Sequence, residues 1–236
     1  MKTLYSRLIP LMITVFLLAT CVVAQEKPEL NMGKMQMVFL TLDPASNHMS
    51  ARAIVKVTKD QRNYVNGMIV SGKCALAGLA TGVGPLKEIL VFKIESTEEV
   101  KTLTKSFPAV KARMMIAEVL PWYAARNYIA TPDTPLKPTD YIFGLLVRGP
   151  KWTAEKTTES NKIQEGHMAN INRLAEAGKL VLAGPFYDEG ERRGVFIFKV
   201  DTLNEAQILT DSDPAVIAGR LKIELYKWTV PKGILK

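Results

Sequence analysis

The chain has 236 residues, with 31 Lys and Arg against 23 Asp and Glu, two histidines, two cysteines and 47% apolar residues. That apolar share belongs to folded domains with cores and excludes a disordered or collagen-like chain. The basic residues are scattered, with no basic stripe and no interleaved stacking aromatics, so nucleic acid is excluded as an expected partner.

Residues 1–24 read as a signal peptide. Lys2 and Arg7 precede an apolar run from Leu8 to Val23, and Val22, Val23 and Ala24 resemble a small-residue cleavage site before Gln25. The expected location is therefore exported, periplasmic or secreted. The run is shorter than the roughly 20 residues of a spanning helix, and no later segment is longer, so no membrane span is expected after signal removal. The alternative is a lipoprotein modified at Cys21, which the threonine at position 20 disfavours. Cleavage after Ala24 removes Lys2, Arg7 and Cys21, leaving 29 basic and 23 acidic residues, a net charge of +6. Cys74 is then the one thiol, with no partner for an internal disulfide, and a small buried apolar role is expected of it. Two isolated histidines and a cysteine make no zinc-site spacing, so neither metal nor cofactor is expected.

Residues 25–34 read as a leader, and a first module spans 35–123. It opens with a strand from Met35 to Leu42, ended by Pro44. A helix from Asp60 or an earlier residue runs to Gly72, with His48 in its polar, exposed approach. A strand from Lys73 to Leu79, a turn at 82–85, a strand from Glu88 to Glu95 and a helix from Thr97 to Lys105 follow. Residues 124–139 carry three prolines among small and polar residues and read as a linker. A second module, 140–230, repeats the layout: strand 141–147, a helix ending at Ala177, strands 179–183 and 194–200, helix 202–210, a short helix from Pro214, and strand 220–228.

The two modules superpose at a constant offset of 106 residues without a gap. Gly72, Lys73, Leu76, Ala77 and Gly78 match Gly178, Lys179, Leu182, Ala183 and Gly184, and Pro108, Ala109, Val110 and Trp122 match Pro214, Ala215, Val216 and Trp228. In both modules a central strand is apolar on both faces: Val195 and Ile197 point one way, Phe196, Phe198 and Val200 the other. One face is covered by helices and the other needs a second sheet. The expected fold class is α+β, two tandem ferredoxin-like βαββαβ modules packed sheet to sheet as an intramolecular pseudo-dimeric α+β barrel. Further self-association stays open.

The segments His167-Met168-Ala169, Arg173 to Pro185 (RLAEAGKLVLAGP) and Asp213-Pro214-Ala215 resemble the YCII-related domain family. The resemblance covers the second module, while the first follows the layout and departs at the motif residues. It implies a ferredoxin-like fold pairing into an α+β barrel, and a histidine and aspartate as an active-site pair, here His167 and Asp213.

The residues themselves support two readings of that pair. His167 lies four and seven residues before Ile171 and Leu174, so on a helix it faces inward, as a proton-transfer group or as a core histidine. Asp213 before Pro214 is the pattern of a helix N-cap, and a capping aspartate still has an oxygen for an imidazole. At the offset of 106 the two fall on Gln61 and Phe107, so both are lost together in the first module, which becomes a degenerate site. Gly184, Pro185 and Phe186 are candidates for the mouth of a substrate pocket, although Gly78 repeats the glycine without the histidine, which favours a structural bend.

Two functions follow. One is an exported enzyme in which His167 moves a proton and Asp213 orients it, a lyase, dehydratase or isomerase acting on a small anionic or aromatic molecule, since no nucleophile stands beside the pair. The alternative is a non-catalytic exported module binding a small molecule or a partner between the copies.

Overall fold

The computed structural model describes residues 29–82, 84–132 and 134–236. The signal peptide read over 1–24 lies outside the described residues. Among those described, no helix is long and apolar enough to cross a membrane.

The first half is β1 (Met32–Leu42), α1 (Ala51–Val70), β2 (Leu76–Thr81), β3 (Leu86–Phe92), α2 (Thr97–Thr104), α3 (Pro108–Lys111) and β4 (Met115–Ala125). The second repeats it as β5 (Pro138–Arg148), α4 (Thr158–Glu176), β6 (Leu180–Pro185), β7 (Arg192–Phe198), α5 (Leu203–Asp211), α6 (Pro214–Ile217) and β8 (Leu221–Pro231). Local chemistry sets the helix ends. The Ser50 hydroxyl caps α1, Thr157 and Ser160 form a reciprocal box at the start of α4, and Gly72 and Gly178 turn the chain out at φ +74° and +67°. That conformation explains why this glycine is present in both halves.

All strands pair antiparallel in one sheet of order β4-β1-β3-β2-β8-β5-β7-β6. Each half contributes four strands in the ferredoxin-like order, and the halves are stitched by β2 to β8 at Leu79–Thr229, Ala80–Trp228 and Thr81–Lys227. The free ends of the sheet then curl together: Trp122 of β4 bridges Phe186, and the Tyr187 N–H donates to the Pro121 carbonyl at 2.8 Å. The result is a nearly closed eight-stranded barrel, as the two-faced strands require. Its interior is filled by side chains. Phe39 of β1 meets Phe143 of β5 edge to face at 6.2 Å, although three strands separate them around the ring. Val195 and Ile197 belong to this interior, whereas Phe196, Phe198 and Val200 pack with Leu174, Ala206 and Ala215 under α4, α5 and α6.

The first-half helix, expected from Asp60 or an earlier residue, begins at Ala51. Its first turns hide no apolar stripe, because Ile54 and Val55 face solvent at 42% and 69% exposure. The segment read as a linker over 124–139 carries regular structure at both ends: β4 runs through Ala125, Arg126–Tyr128 is a helical turn, and β5 starts at Pro138. Between them Ile129 is buried and bridges Leu235. Prolines were compatible with the strand because Pro138 begins it, where no ladder N–H is needed.

Candidate functional site

The second-half helix α4 carries a buried stripe of His167, Asn170 and Leu174. The stripe is aimed at the corner between α5 and α6, where Asp213 has extended backbone (φ −76°, ψ 125°) and caps α6, its Oδ1 accepting the Ala215 N–H at 2.9 Å. Pro214 follows at the first helical position, where its missing N–H costs nothing. The sequence pattern of a cap is therefore correct for Asp213.

The same carboxylate meets the histidine. His167 Nδ1 lies 2.9 Å from both Oδ1 and Oδ2, and Asn170 Nδ2 donates to Oδ2 at 3.1 Å. His167 is 7% exposed and Asp213 0%. The imidazole lies nearly parallel to the Phe196 ring, 5.7 Å between centroids and 19° between planes. Burial by itself raises the Asp213 pKa, but hydrogen bonds from His167, Asn170 and the Ala215 N–H, with the histidine's charge, outweigh it and hold the carboxyl below its ordinary value. An ionised carboxylate only accepts, so Nδ1 of His167 carries the hydrogen. Nε2 is then the nitrogen with a lone pair to exchange a proton.

Three residues of this arrangement escaped the sequence reading. Asn170 and Arg173 follow His167 at intervals of three along α4, and Arg173 donates to Asn170 Oδ1 at 2.7 Å and Ser212 Oγ at 3.3 Å. Polar residues at helical spacing beside a buried histidine were the available signal. Gly166 was the third: a Cβ there would stand 3.1 Å from Pro214 Cγ, so glycine lets α4 close on the corner.

The first half solves the same corner differently. Gln61, in the place of His167, accepts the Ala109 N–H through its own Oε1 at 3.2 Å, the bond that Asp213 makes to Ala215. Phe107 then needs no capping side chain, and its ring packs on Tyr64 at 5.9 Å. Tyr64, in the place of Asn170, bonds Ser106 at 2.7 Å. The paired replacement therefore has a structural cause as well, since one glutamine takes over the cap and frees position 107 for an apolar ring.

Gly184, Pro185 and Phe186 lie on the seam between halves. A Cβ at Gly184 would sit 2.1 Å from the Tyr123 carbonyl oxygen and 2.9 Å from Trp122 Nε1, and at Gly78 the counterpart would sit 2.5 Å from the Thr229 oxygen and 2.6 Å from Trp228 Nε1. The repeated glycine is thus an interstrand close approach, and the expected bend is corrected: both residues lie within strands. Trp122 Nε1 donates to the Gly184 carbonyl at 3.1 Å. Phe186 is 3% exposed and meets Phe39 edge to face at 5.9 Å in the barrel interior, across the sheet from the layer that holds His167, so it cannot line a mouth beside the imidazole. Pro185 is exposed and pairs with Gly194.

His48 is exposed at the end of a short helical turn. Cys74 is buried, its thiol donating to the Leu76 carbonyl at 3.2 Å, and burial pushes it up to about 12, which makes it a poor nucleophile. Among the described residues no group of three or more His, Cys, Asp or Glu is placed to hold a metal ion.

Comparison with known proteins gives a family and a fold. The model of the YCII-related domain matches residues 146–229. The uncharacterized protein YjpA of Bacillus subtilis (strain 168) is 30% identical over 67 residues, 28% of this chain and 76% of that protein. Among solved structures, a mutant chlorite dismutase of Candidatus Nitrospira defluvii in complex with cyanide is similar over 85% of this chain and 92% of that one, at 11% identity and TM-score 0.53. Another mutant of the same enzyme covers 86% and 92%, at 11% identity and TM-score 0.54. At such identities the likeness concerns the fold, the α+β barrel.

Proposed function

The chain belongs to the YCII-related domain family, and on that premise we propose that it is a small-molecule enzyme whose proton-transfer pair is His167 and Asp213. The observation that carries the reading is the contact of one imidazole nitrogen with both oxygens of a buried, ionised carboxylate, 2.9 Å to each. Asp213 holds the ring in the tautomer that presents a basic Nε2, and it stabilises the imidazolium formed once Nε2 takes a proton. Asn170 keeps the carboxylate from rotating. Ser212, next to Asp213, donates its hydroxyl to the Leu209 carbonyl at 2.7 Å and not to His167, and among the described residues no serine or cysteine is hydrogen-bonded to the imidazole, so the chemistry assigned is proton abstraction and return, in a lyase, dehydratase or isomerase reaction. The substrate class that goes with this reading is a small anionic or aromatic molecule.

The test is a proton-NMR screen of hydroxy, keto and unsaturated carboxylic acids for turnover, with His167→Ala and Asp213→Asn alongside the parent protein. The enzyme reading expects His167→Ala to abolish turnover while substrate binding stays within about tenfold, roughly 1.4 kcal/mol. Turnover that survives His167→Ala sinks it. The second reading, a non-catalytic module for a small ligand, is favoured by Asp213 having a complete structural role as a cap, and it expects binding without turnover. Export through residues 1–24, with a mature end at Gln25, is part of the same proposal, against lipidation at Cys21. Sequencing the mature N-terminus decides it.

A further inference from the structure

The first half, which lacks the histidine and the aspartate, holds a cavity of about 250 Å³ between α1, the β2–β3 hairpin, the start of β4 and the segments Leu136–Pro138 and Thr229–Pro231. The last two come from the connector and from β8, so this space is complete only in the assembled barrel. Inside it lies Glu88, 5% exposed in the middle of β3. Its Oε2 accepts from Gln61 Nε2 at 2.8 Å, and among the described residues no Lys, Arg or His forms an ion pair with it.

A buried carboxyl with one neutral partner is costly to keep. The repeat shows that the module does not require it, because the counterpart of Glu88 at the offset of 106 is Gly194, which occupies the same place in β7. The acid and its glutamine therefore belong to the cavity. An engineered cavity of about 150 Å³ admits benzene, so this space holds a ring with substituents. Val65, Ile69, Met114 and Val230 make its walls apolar, and Arg62, Lys87 and Lys137 at its edge outnumber the single acid.

We infer that this cleft is a second small-molecule site, which takes an organic acid with an apolar body, the carboxylate toward Arg62, Lys87 and Lys137 and a hydroxyl or carbonyl oxygen at Glu88. It is independent of the His167–Asp213 pair. Burial pushes the Glu88 carboxyl up to about 7. The charged and titratable groups around it are Arg62 on α1, Lys87 on β3 and Lys137 on the connector, all basic, and the Cys74 thiol, which burial pushes up to about 12, so the pH dependence near neutrality is assigned to Glu88. Its ionisation opposes an anion, and affinity falls as pH rises through that range.

The experiment uses the whole chain labelled at the methionine methyls, because Met114 and Met115 line the cleft while Met168 adjoins His167. The probe is 4-hydroxybenzoate, with benzyl alcohol and benzylamine as neutral and cationic controls. The expected result is saturable shifts at Met114 and Met115 but not Met168, with benzylamine at least tenfold weaker. Leu79→Trp, at a half-exposed position of the lining, blocks binding, and Lys87→Ala with Lys137→Ala weakens it at least tenfold. His167→Ala leaves it unchanged, and Glu88→Gln removes its pH dependence. The proposal is overturned if Met114 and Met115 do not respond up to about 10 mM probe, ten times a millimolar Kd. It is equally overturned if benzylamine binds as well as 4-hydroxybenzoate, or if the shifts move to Met168.

Discussion

Replacing Glu88 by glutamine should change how stability depends on pH. The carboxyl is raised from 4.5 to about 7 by burial, which outweighs the hydrogen bond from Gln61. Between those two values the unfolded chain has lost the proton and the folded chain still holds it, so the folded state binds more protons and stability falls as pH rises. The full benefit of the protonated acid is present below about pH 4.5 and is gone above about pH 7. A shift of this size at about 1.4 kcal/mol per pKa unit is about 3 kcal/mol. Glutamine keeps an oxygen for Gln61 Nε2 and never ionises, so the slope from this site disappears. Urea unfolding followed by circular dichroism at pH 5, 6, 7 and 8 gives the difference between the two proteins, in which all other titrating groups cancel. Because pH 5 already lies above the unfolded value, the variant should gain about 2–3 kcal/mol on the parent from pH 5 to pH 8, and be the more stable protein at pH 8. A difference that stays within about 0.5 kcal/mol across the series would refute the reasoning, since it means the folded-state carboxyl is solvated or ion-paired after all.

Asp213→Ala removes the acceptor of His167, Asn170 and the Ala215 N–H together. Urea unfolding at pH 7 should show a loss of about 3–5 kcal/mol, as for a broken buried pair. Because the carboxyl is held below its ordinary value, that difference should persist above about pH 4 and shrink as pH falls further. Gly184→Ala drives a methyl into the Tyr123 carbonyl, an atom of the backbone that cannot step aside. Thermal melts should record a loss of about 3 kcal/mol or more, and a neutral result would mean that the β4–β6 seam is loose. Trp122→Phe removes the indole hydrogen bond to the Gly184 carbonyl, whereas Trp228 Nε1 has no hydrogen-bond partner to lose. The first substitution should therefore cost about 1 kcal/mol more than the second in paired urea titrations, although both remove the same volume.

The amino-acid sequence determined the features that depend on local pattern. The offset of 106 revealed two halves, the apolar faces of strands such as Arg192–Phe198 demanded a second sheet, and helical spacing put His167 on a buried stripe. Asp213 before Pro214 was legible as a cap because capping involves residues two apart. Its meeting with His167 spans 46 residues and depends on how α4 crosses α6, which no spacing along the chain encodes. The same holds for the glycine at 78 and 184. Its repetition was visible, but its cause is a carbonyl of the other half of the barrel, and so a bend was the natural local explanation. Glu88 is the clearest case. In a strand reading LKEILVF, a glutamate next to a lysine looks solvated, and only the closure of β8 and the connector over α1 buries it. Hydrophobic periodicity reports which face of an element turns inward. Which buried polar groups meet, and what space they leave between them, is decided when the two halves close on each other, because burial and hydrogen bonding there are properties of surfaces far apart in the chain.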